Sequence, residues 1–276
     1  MPIIAKIEQQ KKNNNRYNLY LDVNGVAEFA FGISDDTLVR FALAKGKELT
    51  EAEITKIQFD DLVSKSFRAA MNYISYRLRS EKEIKTYLKE QDYEDEIIVE
   101  SVTRLKHYGY LDDLKFAQAY VRNEMNVSGK GPSEIKKVLF DRGISLQLQE
   151  EALKEYPEEL QFENTMKWVR KSFRKQRTSY REAYQKTFQF LLNKGFSMDQ
   201  AKRAISEHEE PDDNSEWVNL INSGYKYHRK YRLYDGFEYS QKMKKSLFSK
   251  GYQMDLIMKF LNHGKEAIEN QDLENE

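Results

Sequence analysis

Four stretches of this chain read alike, and no other feature limits its fold as much. They are IKTYLKEQDYEDEII from Ile84, IKKVLFDRGISLQLQ from Ile135, TFQFLLNKGFSMDQA from Thr187 and MKKSLFSKGYQMDLI from Met243. Leu88, Leu139, Leu191 and Leu247 share one position, and Asp92, Gly143, Gly195 and Gly251 another. Tyr93, Ile144, Phe196 and Tyr252 follow. The leucines are 51, 52 and 56 residues apart. That is room for about three helices and their turns per unit. A chain built this way is an array of small helical units that pack mainly on their neighbours.

Each unit parses into three helices. Unit one spans 60–109, with helices near 60–79, 81–91 and 94–108. Unit two spans 110–156, with helices near 112–127, 132–142 and 145–155. Unit three spans 157–210 (158–176, 179–194, 197–208), and unit four 211–268 (215–231, 235–250, 253–268). A polar tail, 269–276, follows. Ser80 with Glu83 and Asp235 with Glu238 have capping-box spacing, and Pro132 suits a first helical turn. With only 12 Gly and 4 Pro and 33% charged residues, the composition favours helix. The seam between units one and two is LKHYGYLDDLKFAQAYV, from Leu105. Gly109 can close a helix in the left-handed conformation. Tyr110 and Leu111 supply apolar contacts past the stop. Asp112 or Asp113 can cap the next helix, on which Leu114, Phe116, Ala117 and Val121 recur at helical spacing.

Residues 1–59 differ. Ile3, Ala5 and Ile7 alternate with polar neighbours, as do Tyr17, Leu19, Leu21 and Val23, and Val26 to Phe31 is a third short run. Asn24-Gly25 is a strong hairpin signal. A small antiparallel sheet is expected over about 3–31. Ser34 should open a helix, SDDTLVRFALA, that ends near Lys45-Gly46, and Thr50 with Glu53 should cap another. The fold class expected is mainly α: tandem three-helix repeats in an elongated, curved array, preceded by a small sheet and helix.

Several chemistries lack their residues. There is no Cys, so disulfides and thiolate metal sites are excluded. No apolar run is long enough to span a membrane, and the N-terminus lacks the apolar core of a signal peptide, so a soluble, cytoplasmic protein is expected; a monomer is expected as well. The four histidines, 107, 208, 228 and 263, are scattered. A metal site needs three or four ligands together, so no metal is expected. No phosphate-binding glycine motif occurs. GKGP at 129–132 reads as an anion-binding helix start or as a plain interhelix loop. Asp112 and Asp113 could be paired catalytic carboxylates, but their role as caps needs no further explanation. The chain is expected not to be an enzyme.

The distribution of charge says more than its zero sum. Residues 161–210 hold 11 basic and 6 acidic residues. Lys167, Arg170, Lys171, Arg174, Lys175, Arg177 and Arg181 fall in a segment without an acid. A helix continued from 167 to 181 would stack most of them on one face, with Val169, Phe173 and Tyr180 on another. That face is either a solvated helix surface or a track for phosphates or an acidic partner. In unit four, Lys226, Arg229, Lys230 and Arg232 are interleaved with Tyr225, Tyr227, Tyr231 and Tyr234. Interleaved cations and rings suit single-stranded nucleic acid, yet Tyr227, Tyr231 and Tyr234 also have the spacing of a buried stripe. Arg68, Arg77 and Arg79 are the corresponding candidates in unit one.

GYLDD at 109–113, followed by Phe116-Ala117 and Tyr120, resembles the RecX family of regulatory proteins. So do RSEKEI at 79–84, the Gly129–Gly131 loop with Ile135 and Leu139, and RGIS at 142–145. The match is densest over about 65–155 and thins over 160–265 to the Leu–Gly–aromatic skeleton. The N-terminal region looks like the extension of longer, Gram-positive-type members. The resemblance implies a non-enzymatic modulator of the RecA recombinase, which binds along the RecA–single-stranded-DNA filament and inhibits or destabilises it. Some family members also bind DNA, and the resemblance implies no cofactor. An autonomous single-stranded nucleic-acid-binding repeat protein is the alternative, and the zero net charge argues mildly against it. The basic residues above are then the expected filament or DNA contacts. Gly109 to Asp113, with Phe116 and the recurring Leu–Gly pairs, are structural.

Overall fold

The computed structural model describes residues 1–11, 13–208 and 213–262. Three antiparallel strands, β1 (Ile4–Gln10), β2 (Asn13–Val23) and β3 (Val26–Ser34), form one sheet in chain order. Asn24 and Gly25 both take positive φ at the β2–β3 turn, as a two-residue hairpin requires, and Val23 pairs with Val26. Thirteen α-helices follow among the described residues, joined by one π-helical turn. They begin with α1 (Asp35–Arg40) and α2 (Glu51–Ser75).

Two helices differ from expectation near the start. The helix opened by Ser34 stops at Arg40 instead of running to 45, and Ala42 takes positive φ. The reason is tertiary. The turn sends Leu43, and then Leu49, into a core with Ile4, Leu19, Ile33 and Ile57. The Thr50 capping box forms, but the helix it opens is 25 residues long. The boundary placed at 59/60 therefore falls inside α2. At that point two carboxylates, Asp60 and Asp61, are almost fully buried. Asp61 accepts from the Ser34 amide (2.7 Å) and pairs with Arg16 (3.1 Å) and Lys65 (3.0 Å). Asp60 accepts from Thr37 Oγ1 (2.9 Å) and pairs with Arg40 (2.6 Å) and Arg104 (2.8 Å). Buried acids persist only when paired in this way. They tie the N-terminal region to the first repeat.

In the first repeat, α2 packs with α3 (Glu81–Glu90) and α4 (Asp95–His107) around Ala70, Ile84, Leu88, Ile98, Val102, Leu105 and Leu111. After α4, Gly109 turns at φ +74° and the Tyr110 amide bonds back to Leu105 O (2.9 Å). Leu111 is buried while Tyr110 stays half exposed. The two acids that follow cap two different helices. Asp112 accepts from the amides of Leu114 and Lys115 (both 3.0 Å) on its own helix, α5 (Asp113–Asn123). Asp113 accepts from the Glu81 amide (2.8 Å) at the start of α3. Phe116, Ala117 and Val121 are buried.

The π-helical turn Glu124–Ser128 continues α5. It is followed by α6 (Pro132–Asp141), α7 (Leu146–Leu153), α8 (Glu158–Phe173), α9 (Tyr180–Asn193) and α10 (Met198–Ser206). The fourth repeat has α11 (Asp213–Tyr231), α12 (Gly236–Ser249) and α13 (254–262). Repeat three closes around Val169, Leu191, Phe196, Ala201, Ala204 and Ile205. Repeat four closes around Leu220, Met243, Leu247, Tyr252, Ile257 and Phe260. The Asp235–Glu238 capping box does not form: Asp235 makes no side-chain cap bond, and the next residue, Gly236, has φ +36°. Compactness divides the chain into Met1–Ala119 with Leu139–Ala152 and Tyr120–Val138 with Leu153–Glu276, so the division cuts α5 and α6, not a repeat boundary. Among the described residues no helix is long and apolar enough to cross a membrane. The tail 269–276 lies outside the described residues.

The recurring Leu–Gly–aromatic signature now has a cause. In each repeat the amide after the turn donates to the carbonyl of the recurring leucine: Tyr93 to Leu88 (3.2 Å), Ile144 to Leu139 (3.0 Å), Phe196 to Leu191 (3.2 Å) and Tyr252 to Leu247 (3.3 Å). The residue between is left-handed, and the flanking pair meets across the helix end. In repeats two to four the turn has a second partner. The last carbonyl before the glycine accepts a bond from the N-terminus of the middle helix of the preceding repeat. Ser80 Oγ donates to Arg142 O (2.8 Å), Gly131 N to Lys194 O (2.8 Å) and Ser179 Oγ to Lys250 O. One helix's orphan carbonyl thus meets another helix's cap. A Cβ on Gly195 would lie 2.3 Å from Glu134 N, and one on Gly143 or Gly251 2.8 Å from the Cβ of Lys82 or Arg181.

Candidate functional site

The basic residues singled out above fall into two groups by what they touch. Those of repeat one are engaged in the fold. Arg68 lies 3.5 Å from Asp35 and 3.7 Å from Asp36. Arg77 pairs with Glu83 at 2.6 Å. Arg79 lies 3.8 Å from the Tyr73 ring centroid and 3.7 Å from the same Glu83, with a side chain only 13% exposed. Arg142, beside the Gly143 turn, is a third guanidinium on Glu83 (3.0 Å). Burial pushes the Glu83 carboxyl up, but the bonds from Arg77 and the Ser80 amide, with the charge of Arg142, hold it net below the ordinary glutamate value.

Repeat three is different. The helix expected to run on to 181 ends at Phe173, and residues 174–179 form a loop before α9. Arg177 and Arg181 are therefore off the α8 face, and Arg181 packs its stem over Gly251. The chain stops there because Phe173 and Tyr180 turn toward each other, with ring centroids 5.8 Å apart, and Ser179 is buried as the α9 cap. The remaining cations divide between the last turns of α8 (Lys167, Arg170, Lys171) and the turn that follows it (Arg174, Lys175). Arg170 and Arg174, one turn apart, border a cavity of about 540 Å³ walled by Phe173, Tyr180 and His208. Lys171 and Lys175 border a second cavity, of about 360 Å³, with Lys194 and the rings of Trp168 and Phe190. Gln176 lines both. Among the described residues none of Arg170, Lys171, Arg174, Lys175, Arg177 or Lys194 pairs with a carboxylate, and Lys167 bonds only to Asn164 (3.3 Å).

The second cavity is built around Trp168. Its indole N–H donates to Gly129 O (2.7 Å), and its ring meets Phe190 edge-on at 5.5 Å. The ammonium groups of Lys171 and Lys194 stand 4.8 and 4.6 Å from its ring centroid. Beside the first cavity, Glu216 accepts the Tyr180 amide (3.1 Å), and burial raises its carboxyl despite that bond. The GKGP loop is neither an anion site nor an idle connection. The amides of Gly131 and Ser133 donate to Lys194 O and Gly195 O (2.8 and 3.0 Å), so it is the seat for the next repeat's turn.

In repeat four, Lys226, Arg229, Lys230 and Arg232 are exposed. The tyrosines between them serve mostly as core. Tyr227 and Tyr231 stack at 6.2 Å against the buried cluster, and Tyr231 bonds to Ser246 (3.0 Å). Tyr234 is 41% exposed, with Lys242 4.3 Å from its ring. His208 lies 4.7 Å from Phe173 and His228 Nδ1 2.9 Å from the Tyr239 hydroxyl. His107 packs against Tyr108, while His263 lies outside the described residues. Among the described residues no three His, Asp or Glu side chains gather as for a metal ion. Sequence reasoning missed Trp168 and Lys194. A tryptophan three residues before a basic pair was the available signal, but Lys194 reaches it only through the fold.

Comparison with known proteins agrees with this architecture. Residues 2–50 match the family model for the RecX N-terminal domain, 67–105 its first three-helix domain and 112–153 its second. The third three-helix domain model matches twice, at 158–205 and 214–261. Regulatory protein RecX of Bacillus pumilus is 41% identical over 267 residues, covering 96% of this chain and 100% of that one. The Bacillus licheniformis protein is 42% identical over 264 residues, 95% of this chain and 99% of that one. A crystal structure of regulatory protein RecX superposes with a TM-score of 0.67 at 34% identity, covering 75% of this chain and all of the other. RecX from Lactobacillus salivarius gives 0.51 at 38% identity, covering 54% and 97%. Matched by these models over most of its length, this chain belongs to the RecX family of regulatory proteins.

Proposed function

We propose that this chain regulates RecA recombinase activity by binding the RecA–single-stranded-DNA filament and destabilising it, without bond chemistry of its own. Family membership supports the class of activity. The observation that carries the site is the contrast in charge use. Arg77 and Arg79 are bound to Glu83 of their own repeat and Arg68 to Asp35 and Asp36 of the N-terminal region, whereas Arg170, Arg174 and Arg177 have no carboxylate partner among the described residues. Unpaired guanidiniums are available to phosphates or to acidic protein surface at no cost of broken pairs. A tandem array offers several such contacts to neighbouring protomers of a polymer, and so gains avidity. It shifts growth against disassembly by its differential affinity for one filament state.

The test is filament disassembly followed with and without the protein, beside the triple variant Arg170→Glu, Arg174→Glu, Arg177→Glu. Faster disassembly with the wild type, and its loss in the variant, is the expected result. No effect of wild type at several-fold excess over RecA would end the proposal, and a fully active variant would remove the site from repeat three.

A further inference from the structure

The middle helix of every repeat starts with the same seat. A cap residue, Ser80, Gly131, Ser179 or Asp235, is followed three positions on by a glutamate, Glu83, Glu134, Glu182 or Glu238. Turns of the following repeats, Leu139–Gly143, Leu191–Gly195 and Leu247–Gly251, rest on the first three seats. The fourth, at the start of α12, is exposed among the described residues. Leu233 is 90% and Phe237 80% exposed, although a terminal repeat ordinarily turns a polar face outward. A Cβ on Gly236 would meet nothing within 4 Å, whereas one on Gly131 of a covered seat would lie 2.3 Å from Gly195 C.

The covered seats show what such a helix start accepts. Glu182 holds Lys186 of its own helix (2.9 Å) and Lys250 of the seated turn (3.3 Å). Glu238 holds the corresponding Lys242 of its own helix (3.4 Å), and among the described residues no second cation reaches it. Asp235 adds another carboxylate, which accepts and does not donate when ionised. In the second seat the donors are backbone amides, Gly131 N to Lys194 O (2.8 Å) and Ser133 N to Gly195 O (3.0 Å). Phe237 stands where Ser133 does, so its amide is placed to meet an orphan helix carbonyl in the same way. Phe237 also stands in the place of Arg181, which packs over Gly251 in the third seat beside Phe248.

We propose that the start of α12 docks a helix end from another protein, one closed by a left-handed glycine, with a lysine or arginine before the glycine and an apolar residue in its last turn. The glycine lets the two backbones meet, the cation reaches Glu238 and Asp235, and the apolar residue covers Leu233 and Phe237. A second copy of this chain is not the occupant. Its turn in repeat one reads LKEQDY, where the seated turns read LFDRGI, LLNKGF and LFSKGY. Lys89, Gln91 and Asp92 withhold the apolar residue, the cation and the room for close approach. Asp92 also repels Asp235 and Glu238. Copies are thereby kept from joining head to tail, a contact that need not close on itself. The inference goes beyond the filament proposal and does not depend on it.

The chain itself can supply a probe. Lys89→Phe, Gln91→Lys and Asp92→Gly in the full-length protein, all at exposed positions, give repeat one the pattern of the seated turns. In sedimentation velocity the wild type should run as one species at every concentration. The triple variant should associate head to tail, its weight-average mass rising about twofold or more with concentration. Adding Leu233→Asp and Phe237→Asp to it should restore the wild-type pattern with an unchanged thermal melt, and adding Glu238→Gln instead should weaken association severalfold. A triple variant that stays monomeric would overturn the proposal, whether the seat cannot take a turn or residues 263–276 already cover it. Association that survives Leu233→Asp with Phe237→Asp would place the contact elsewhere and overturn it too. Association of the wild type that those two substitutions abolish would make a second copy the occupant, against the proposal.

Discussion

Repeat one and repeat three use the same turn under different obligations. Both end the middle helix with a left-handed residue and bond the next amide back to the recurring leucine. In repeat three that residue is Gly195, pressed against the backbone of the preceding repeat's middle helix. In repeat one it is Asp92, at φ +61°, and no repeat precedes it. The lesson is that φ alone does not demand glycine here, because an aspartate tolerates the left-handed region at modest cost. The close approach of the next helix demands it. The same asymmetry governs charge. The seats of repeats two and four bring a basic residue, Arg142 or Lys250, onto a glutamate of the preceding repeat, Glu83 or Glu182, whereas in repeat three Lys194 lies over the Trp168 ring. Gln91 stands at that position in repeat one.

This comparison can be broken in several ways. The first repeat is tied to the N-terminal region through Asp61, which also receives a buried amide. Asp61→Ala should cost about 3–5 kcal/mol, because it leaves Arg16 and the Ser34 amide without their partner. A denaturant midpoint equal to wild type would show that the network is dispensable. Gly195→Asp puts the residue of repeat one into the seat of repeat three. We expect a loss of about 3 kcal/mol or more, since left-handed strain adds to a backbone clash at 2.3 Å. If the variant were as stable as wild type, the seat could not be tight.

Gly143→Ala and Gly251→Ala face side-chain stems, not backbone, and should cost about 1–2 kcal/mol each. Urea unfolding that ranked them above Gly195→Ala would contradict the geometry. A smaller effect concerns pH. The Glu83 and Glu182 carboxyls are held below the ordinary value of 4.5 in the folded chain. An acid with a depressed folded pKa contributes stability that is present above its unfolded value and is lost as the pH falls through the folded one. Stability should therefore decline from about pH 4.5 downward, and Glu83→Gln should flatten part of that decline in thermal melts. Asp113, raised chiefly by burial, works in the opposite sense. A variant as steep as wild type would argue that Glu83 does not feel its three arginines. The smallest change is Asp92→Gly. Relief of left-handed strain, partly offset by backbone entropy, should stabilise by about 0.5 kcal/mol, read as a shift in denaturant midpoint. A clear loss of stability would mean that Asp92 has a role no contact here reveals.

Periodicity, caps and turn residues carried the local structure. The hairpin at Asn24-Gly25, the capping boxes at Thr50 and Ser80, and the leucine–glycine turns are all decided within a few residues, so they were legible in the amino-acid order. The repeat count was legible too, because each unit must bury the same stripe. Partnership was not legible. Only the fold decided that Asp113 caps α3 and that α2 runs unbroken past two buried acids. Only the fold ended α8 at Phe173, where ring packing and the buried Ser179 cap outweighed helix propensity. The candidate site divides the same way. The sequence supplied an acid-free run of cations in repeat three. The tertiary structure divided that run between the end of α8 and the loop after it, set Trp168 and Lys194 together from positions far apart in sequence, and showed repeat one's arginines bound to acids. The physical reason is range. Backbone conformation is set mostly by neighbours in the chain, whereas a charge is free or paired according to groups far away in sequence that packing brings near.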